Sequence, residues 1–115
     1  MQNALTAVSD ASFAGEVLAS PVPVLVEFWG EWCAPCKQVE PALAAAAERY
    51  GGRLRIVRMD VDANPVTHAR YGVRSCPTLL VFRGGEVVDS SVGAPTPAKL
   101  EAFVESACAP AGAMR

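Results

Sequence analysis

The sequence predicts an α/β fold, with a central mixed five-stranded sheet flanked by four helices in the order βαβαβαββα. Three observations predict it. Short runs rich in β-branched and aromatic residues alternate with stretches of helical periodicity. Asn64-Pro65 and Thr96-Pro97 each pair a capping side chain with a proline at the first helical position. Two late strand-like runs are separated only by Arg83-Gly84-Gly85, so the chain ends in an antiparallel hairpin and a last helix after earlier parallel crossovers. A chain of 115 residues holds one hydrophobic core, so residues 1–115 are expected to form a single domain with a frayed tail from 109 to 115.

The elements follow in order. Ala4 to Val8 reads as a short first strand, and Ser9 as the cap of a helix whose apolar face is Phe13, Val17 and Leu18. Val22 to Trp29 is apolar almost throughout, as a central strand covered on both faces must be. The second helix is predicted from about Cys33 to Tyr50. Val39, Leu43, Ala46, Ala47 and Tyr50 supply its buried stripe, Pro41 is expected to kink it, and Gly51-Gly52 stops it. Leu54 to Val61 is the third strand. A short helix then runs from Asn64-Pro65 to Tyr71-Gly72, and Thr78 to Phe82 pairs with Glu86 to Ser90. The helix after Thr96-Pro97 repeats Leu100, Phe103, Val104, Ala107 and Cys108 at helical spacing.

Composition excludes several classes of function. Hydrophobic residues are 51% and charged residues 19%, a balance that folds. A net charge of −2 gives no footprint for nucleic acid or an anionic membrane. No Lys or Arg precedes Lys37, so neither a secretory signal nor a transit peptide is expected, and the longest apolar run is too short to span a bilayer. A cytoplasmic protein is expected, in which four cysteines serve catalysis or burial rather than structural bridges.

The chemistry is carried by Trp32-Cys33-Ala34-Pro35-Cys36-Lys37. Two thiols three residues apart, where a strand runs into a helix, can make and break one disulfide between themselves. At the helix N-terminus the Cys33 sulfur faces unpaired N–H groups and the positive end of the helix dipole, both of which favour thiolate. Cys36 lies one turn deeper on the same side, shielded and placed to attack a mixed disulfide formed on Cys33. The competing reading is half a zinc site. Zinc needs four ligands, and only Cys76, Cys108 and His68 remain, widely separated; no metal is expected. No GxGxxG or P-loop is present, so no bound cofactor is expected.

With these residues in place, the chain resembles the thioredoxin family over roughly residues 5 to 108. Phe28 through Lys37 is similar to the family's active-site segment, and Pro41 sits where the family kinks its second helix. Tyr71-Gly72-Val73-Arg74 with Pro77-Thr78-Leu79 resembles its approach to a cis-proline. Gly84-Gly85-Glu86 and Val92-Gly93-Ala94 resemble its hairpin and late loop. The resemblance implies a thioredoxin fold and a protein disulfide reductase, with Cys33 as nucleophile and Cys36 as resolving thiol. Electrons would come from NADPH through a flavin-dependent thioredoxin reductase, the clients would be disulfide-containing proteins, and the chain would be a monomer. It also implies that Pro77 is cis and opens the backbone of Cys76 to an extended substrate segment, although the residues alone favour a trans proline opening an ordinary strand. Trp32, Ala34, Pro35, Gly93 and Ala94 would form a shallow apolar rim around Cys33, with Trp29 packed beneath the site.

Three residues depart from the family pattern. Glu27 stands where the family usually has Asp. It is expected to be buried with a raised pKa and to exchange protons with Cys36, the alternative being an edge position in solvent. Arg58 stands where Lys is common and is either a partner of Glu27, opposing that rise, or a solvated strand residue; Lys37 is a second candidate modulator. Cys76 precedes the proline where an aliphatic residue is usual, and is either a small packed hydrophobe or a third oxidisable thiol. Cys108 is expected to be at least partly buried, and His68 to be a surface residue. Two other functions compete with reduction: a binding or assembly module that uses the fold without its thiols, and a disulfide oxidase or isomerase.

Overall fold

The computed structural model describes residues 5–109. Five strands form one sheet: β1 (Thr6–Ala7), β2 (Val24–Trp29), β3 (Arg55–Asp60), β4 (Thr78–Arg83) and β5 (Glu86–Val92). Their spatial order is β1-β3-β2-β4-β5. β3 runs parallel to both β1 and β2, whereas β4 runs antiparallel to β2 and β5. Three α-helices, α1 (Ala34–Arg49), α2 (Pro65–Arg70) and α3 (Pro97–Cys108), connect or follow the strands. The expected first helix is a π-helical segment, Ala14–Leu18, led by a turn in which the Ser12 N–H donates to Ser9 Oγ at 3.1 Å. The expected element order is therefore present, with one helix of a different winding.

β2 is the middle strand, and alternation sorts its residues between two cores. Leu25 joins Leu79 and Val81 of β4 under Val39 and Leu43 of α1 and Leu100 and Val104 of α3. Val24, Val26 and Phe28 face the other way, with Leu80, Phe82, Phe13 and Val17. Because both faces are covered, β2 reads as a continuous apolar run. The single exception is Glu27, fully buried on the α1 side.

The boundaries match the local chemistry, with one correction. Gly84 and Gly85, at φ +61° and +84°, make the two-residue turn joining β4 to β5. α1 runs unbroken through Pro41. Thr96 caps α3, its Oγ1 accepting from the Lys99 N–H at 3.2 Å. Asn64, expected to cap α2 with its side chain, does not do so. Its amide instead accepts from the Asp10 N–H at 2.8 Å and donates to the Asp60 carbonyl at 3.0 Å. The cap comes from Asp10, whose carboxylate accepts from the Val66 and Thr67 N–H groups at 3.1 and 2.8 Å and from the Thr67 hydroxyl at 2.6 Å. A charged acceptor outcompetes a neutral amide for the electropositive helix start. Of the expected tail, residues 110–115 lie outside the described region, as does Ala4 of the expected first strand.

Candidate active site

β2 ends at Trp29, and a short turn carries the chain into α1 with Cys33 as its N-cap. Gly30 leaves room for the Trp32 indole over that turn: a Cβ there would lie 2.6–2.8 Å from the ring. Trp32 is then fixed across the turn by an Nε1–H bond to Asp62 Oδ2 at 2.7 Å, yet stays 62% exposed. Ala34 and Pro35 are exposed as well.

Cys33 and Cys36 are joined as a disulfide, with their Cα atoms 5.3 Å apart. The Cys33 sulfur also takes the place of a capping oxygen, accepting from the Cys36 N–H at 3.1 Å. An unpaired helix-start donor aimed at sulfur stabilises negative charge there once the disulfide opens. Cys36 is fully buried, and Cys33 retains only 2% of its surface, so the pair forms the floor beneath the exposed Trp32, Ala34 and Pro35. Of the late-loop residues, Gly93 is half-buried and Ala94 exposed, and the Gly93 N–H donates to the Pro77 carbonyl at 2.8 Å. The Cys76–Pro77 bond is cis. A cleft of about 220 Å³ opens beside the motif between Trp32, Asp62, His68 and Cys76.

Glu27 points toward α1 from beneath. Its surroundings push its pKa up from 4.5 to about 8, chiefly through burial, then through the neighbouring Glu40 charge, with Arg58 acting in the opposite sense. Neither of its oxygens has a hydrogen-bond partner. Of the two alternatives for Arg58, the Glu27 ion pair does not form. The two residues are register partners on adjacent strands, but the Arg58 guanidinium leaves the dry interior, stacks 3.8 Å from the Trp29 ring centroid and reaches Glu40 at 3.6 Å. There it keeps 19% of its side-chain surface, so its hydration is only partly lost. Trp29, at the end of β2 and half-buried, thus carries a cation on its face.

The remaining candidates separate from the centre. Lys37 pairs with Glu31 at 3.5 Å, both exposed. Cys76 and Cys108 are unbridged and half-buried, and burial is the main cause that raises both thiol pKa values. His68 is half-buried rather than at the surface, its Nδ1 lying 3.3 Å from the Val73 carbonyl oxygen. Among the described residues no group of three or more His, Cys, Asp or Glu is placed to hold a metal ion, and no helix is long and apolar enough to cross a membrane. Sequence reasoning missed Glu40. The signal was available: Glu40 is four residues after Cys36, hence one turn along on the same helical face.

The chain is similar to known proteins over most of its length. The thioredoxin family model matches residues 4–106. The chain is 46% identical over 106 residues to the thioredoxin of Acidithiobacillus ferridurans, covering 92% of this chain and 98% of that protein. It is 51% identical over 100 residues to the thioredoxin of Streptomyces clavuligerus, covering 87% and 92%. Against the thioredoxin of a Synechocystis strain it is 49% identical over 87 residues, covering 76% and 81%.

Proposed function

The chain belongs to the thioredoxin family, and with it is a thiol-disulfide oxidoreductase that reduces protein disulfides; on that premise we propose how its residues divide the work. The observation that carries the reading is the Cys33 sulfur seated as the cap of α1, bonded to the Cys36 N–H and within disulfide reach of Cys36. In the reduced state Cys33 is the thiolate. It attacks one sulfur of a client disulfide, forming a Cys33–client bond and expelling the other client sulfur as thiolate. Cys36 then attacks the Cys33 sulfur, the Cys33–client bond breaks, and the second client thiolate leaves. Two electrons have passed from the Cys33/Cys36 dithiol to the client, and the Cys33–Cys36 disulfide is restored.

Glu27 is the proton partner of Cys36 in this reading. In the oxidised state its carboxyl holds the proton. When the disulfide opens, it passes that proton to the Cys36 sulfur; when Cys36 closes on a mixed disulfide, the proton returns. A pKa near 8 suits the exchange, because proton transfer is easiest between groups matched to each other and to the medium. Trp32, Ala34, Pro35, Gly93 and Ala94 supply a mostly apolar contact surface that tolerates varied clients. The backbone of Cys76, next to Pro77, pairs with an extended client segment. No cofactor is bound; electrons reach the disulfide from NADPH through a flavin-dependent thioredoxin reductase. The chain acts as a monomer in the cytoplasm.

Insulin reduction driven by a thioredoxin reductase and NADPH tests the division of labour. Cys33→Ser is expected to abolish turnover, and Cys36→Ser to accumulate a client mixed disulfide on Cys33, seen as a mass adduct. Full activity of the Cys33→Ser variant would overturn Cys33 as the nucleophile, and no insulin reduction by the parent chain itself would leave only a binding module. A reduction potential well above the cytosolic glutathione range would favour the oxidase or isomerase reading.

A further inference from the structure

On the face of the sheet that carries α1, two carboxyls border a mostly dry space, with one guanidinium at its edge. Alternation along β2 and β3 places Glu27 and Arg58 on the side that carries α1. Glu40 comes from α1 itself, one turn past Cys36. Glu27 is fully buried with both oxygens unbonded, and one oxygen of Glu40 is buried and unbonded as well. The second Glu40 oxygen lies 3.6 Å from Arg58, which is backed by the Trp29 ring. Arg58 is the register partner of Glu27 and the ion-pair partner of Glu40, so both carboxyls flank one guanidinium, and the Glu40 charge raises the Glu27 pKa.

Two carboxylates that face one low-dielectric site resist ionising together. Their surroundings decide which keeps the proton. Glu27 has no solvent and no counter-ion in contact; Glu40 retains 15% of its side-chain surface and has Arg58. The other charged or titratable groups nearby are committed elsewhere. Asp60, further along β3, accepts from the Asp62 and Ala63 N–H groups, and Lys37 and Glu31 pair with each other. Cys76, on the segment before β4, is a neutral thiol held by burial, and Cys36 is tied up in the disulfide. Leu79, the β4 residue in register with Glu27, is apolar.

We propose that Glu40 is a positioning residue for the redox reaction: Glu27 and Glu40 form a carboxyl pair that holds one proton, on Glu27, while Glu40 carries the charge and anchors Arg58 away from Glu27. The pair and Arg58 together are then electrically neutral, and the proton faces Cys36 rather than solvent. Removing the Glu40 charge both relieves the repulsion and frees Arg58 to turn inward, and the two effects push Glu27 in the same direction, toward ionisation.

The inference rests on the reading of Glu27 as proton partner, and the test separates the two. Carboxyl carbon-13 NMR of the oxidised full chain gives the Glu27 midpoint directly. Glu40→Gln is expected to lower it by about one pH unit. Glu40→Leu is expected to lower it as well; since leucine keeps water out, that fall cannot come from hydration of the site. A Glu27 midpoint unchanged in both variants overturns the pair. If the midpoint falls and the acidic limb of the insulin-reduction rate profile moves with it, both readings stand. If the midpoint falls and the profile stays in place, the carboxyl pair stands, but the catalytic reading of Glu27 fails and the positioning role of Glu40 is overturned with it.

Discussion

At the scale of single residues, Glu27 is where the proposed proton exchange meets stability. A carboxyl that ionises near pH 4.5 in the unfolded chain and near 8 in the folded one holds its proton more tightly when folded. Its contribution to stability is therefore fully present below pH 4.5, declines as the unfolded chain releases its proton, and is gone once pH passes about 8. The decline is on the order of 4 kcal/mol. Urea unfolding of the oxidised protein at pH 5 and pH 9 should show it, and Glu27→Gln should remove most of the difference; equal pH dependence in both proteins would mean that Glu27 is not the titrating group. The same substitution should slow insulin reduction at pH 7 by about tenfold. Cys76 illustrates the opposite use of burial. Its thiol pKa is raised first by burial and then by Asp62, Glu27 and Asp60, whereas the Cys33 sulfur faces a helix-start donor. In the reduced protein, iodoacetamide at pH 7 should therefore alkylate Cys33 well before Cys76, as peptide mass spectrometry would record. Comparable rates at the two sulfurs would count against selective activation of Cys33 and for Cys76 as an oxidisable third thiol.

At the scale of elements, what the sequence revealed and what it hid divide by distance along the chain. The Thr96 cap, the Gly84-Gly85 turn and the disulfide at the start of α1 depend on residues within a few positions of one another, and all were legible. The caps that were not legible are long-range. Asp10 closes the start of α2 from more than fifty residues away, and Arg83 of β4 closes the end of α3, its guanidinium donating to the Ala107 and Ala109 carbonyls at 3.0 and 2.8 Å. The partner of Arg58 stayed open in the sequence for the same reason. Strand register was enough to bring it beside Glu27, but its choice of Glu40 depended on how α1 lies over the sheet. A helix of six residues cannot stand on its own propensity, so α2 depends on the borrowed cap. Asp10→Ala should lower the melting temperature by a few degrees, and Asp10→Asn, which keeps an acceptor without the charge, should recover part of the loss. The Asp10 pKa is lowered, chiefly by the Thr67 hydroxyl bond, so its contribution is present above the ordinary Asp range and fades as pH falls through the folded value. The deficit of the alanine variant should accordingly be larger at pH 7 than at pH 3.

At the scale of the whole molecule, the redox face and the aromatic core lie on opposite sides of the same sheet. Cys36, Glu27 and Arg58 belong with α1 on one side, whereas Phe82 on β4 faces the other, 5.4 Å edge-on from Phe13 and 5.2 Å edge-on from Tyr71. Those three rings join the π-helical segment, the end of α2 and the hairpin, which are far apart in sequence. The alternation of β2 and β4 made both faces legible as apolar. It could not say that one face would bury a carboxyl beneath a disulfide and the other would not, because that depends on which helix covers each. Phe82 is nearly fully buried, so Phe82→Ala removes a ring from a closed cluster and should cost about 3–5 kcal/mol. Phe82→Leu, which keeps most of the volume, should cost less than about 1.5 kcal/mol. Neither change touches the groups that set the Cys33 thiolate or the Glu27 proton. Chemical denaturation should therefore separate the two variants clearly, while the insulin-reduction rate per folded molecule stays at the parent value in both. A rate that fell in step with stability would mean that the two faces are mechanically coupled through β2 and β4.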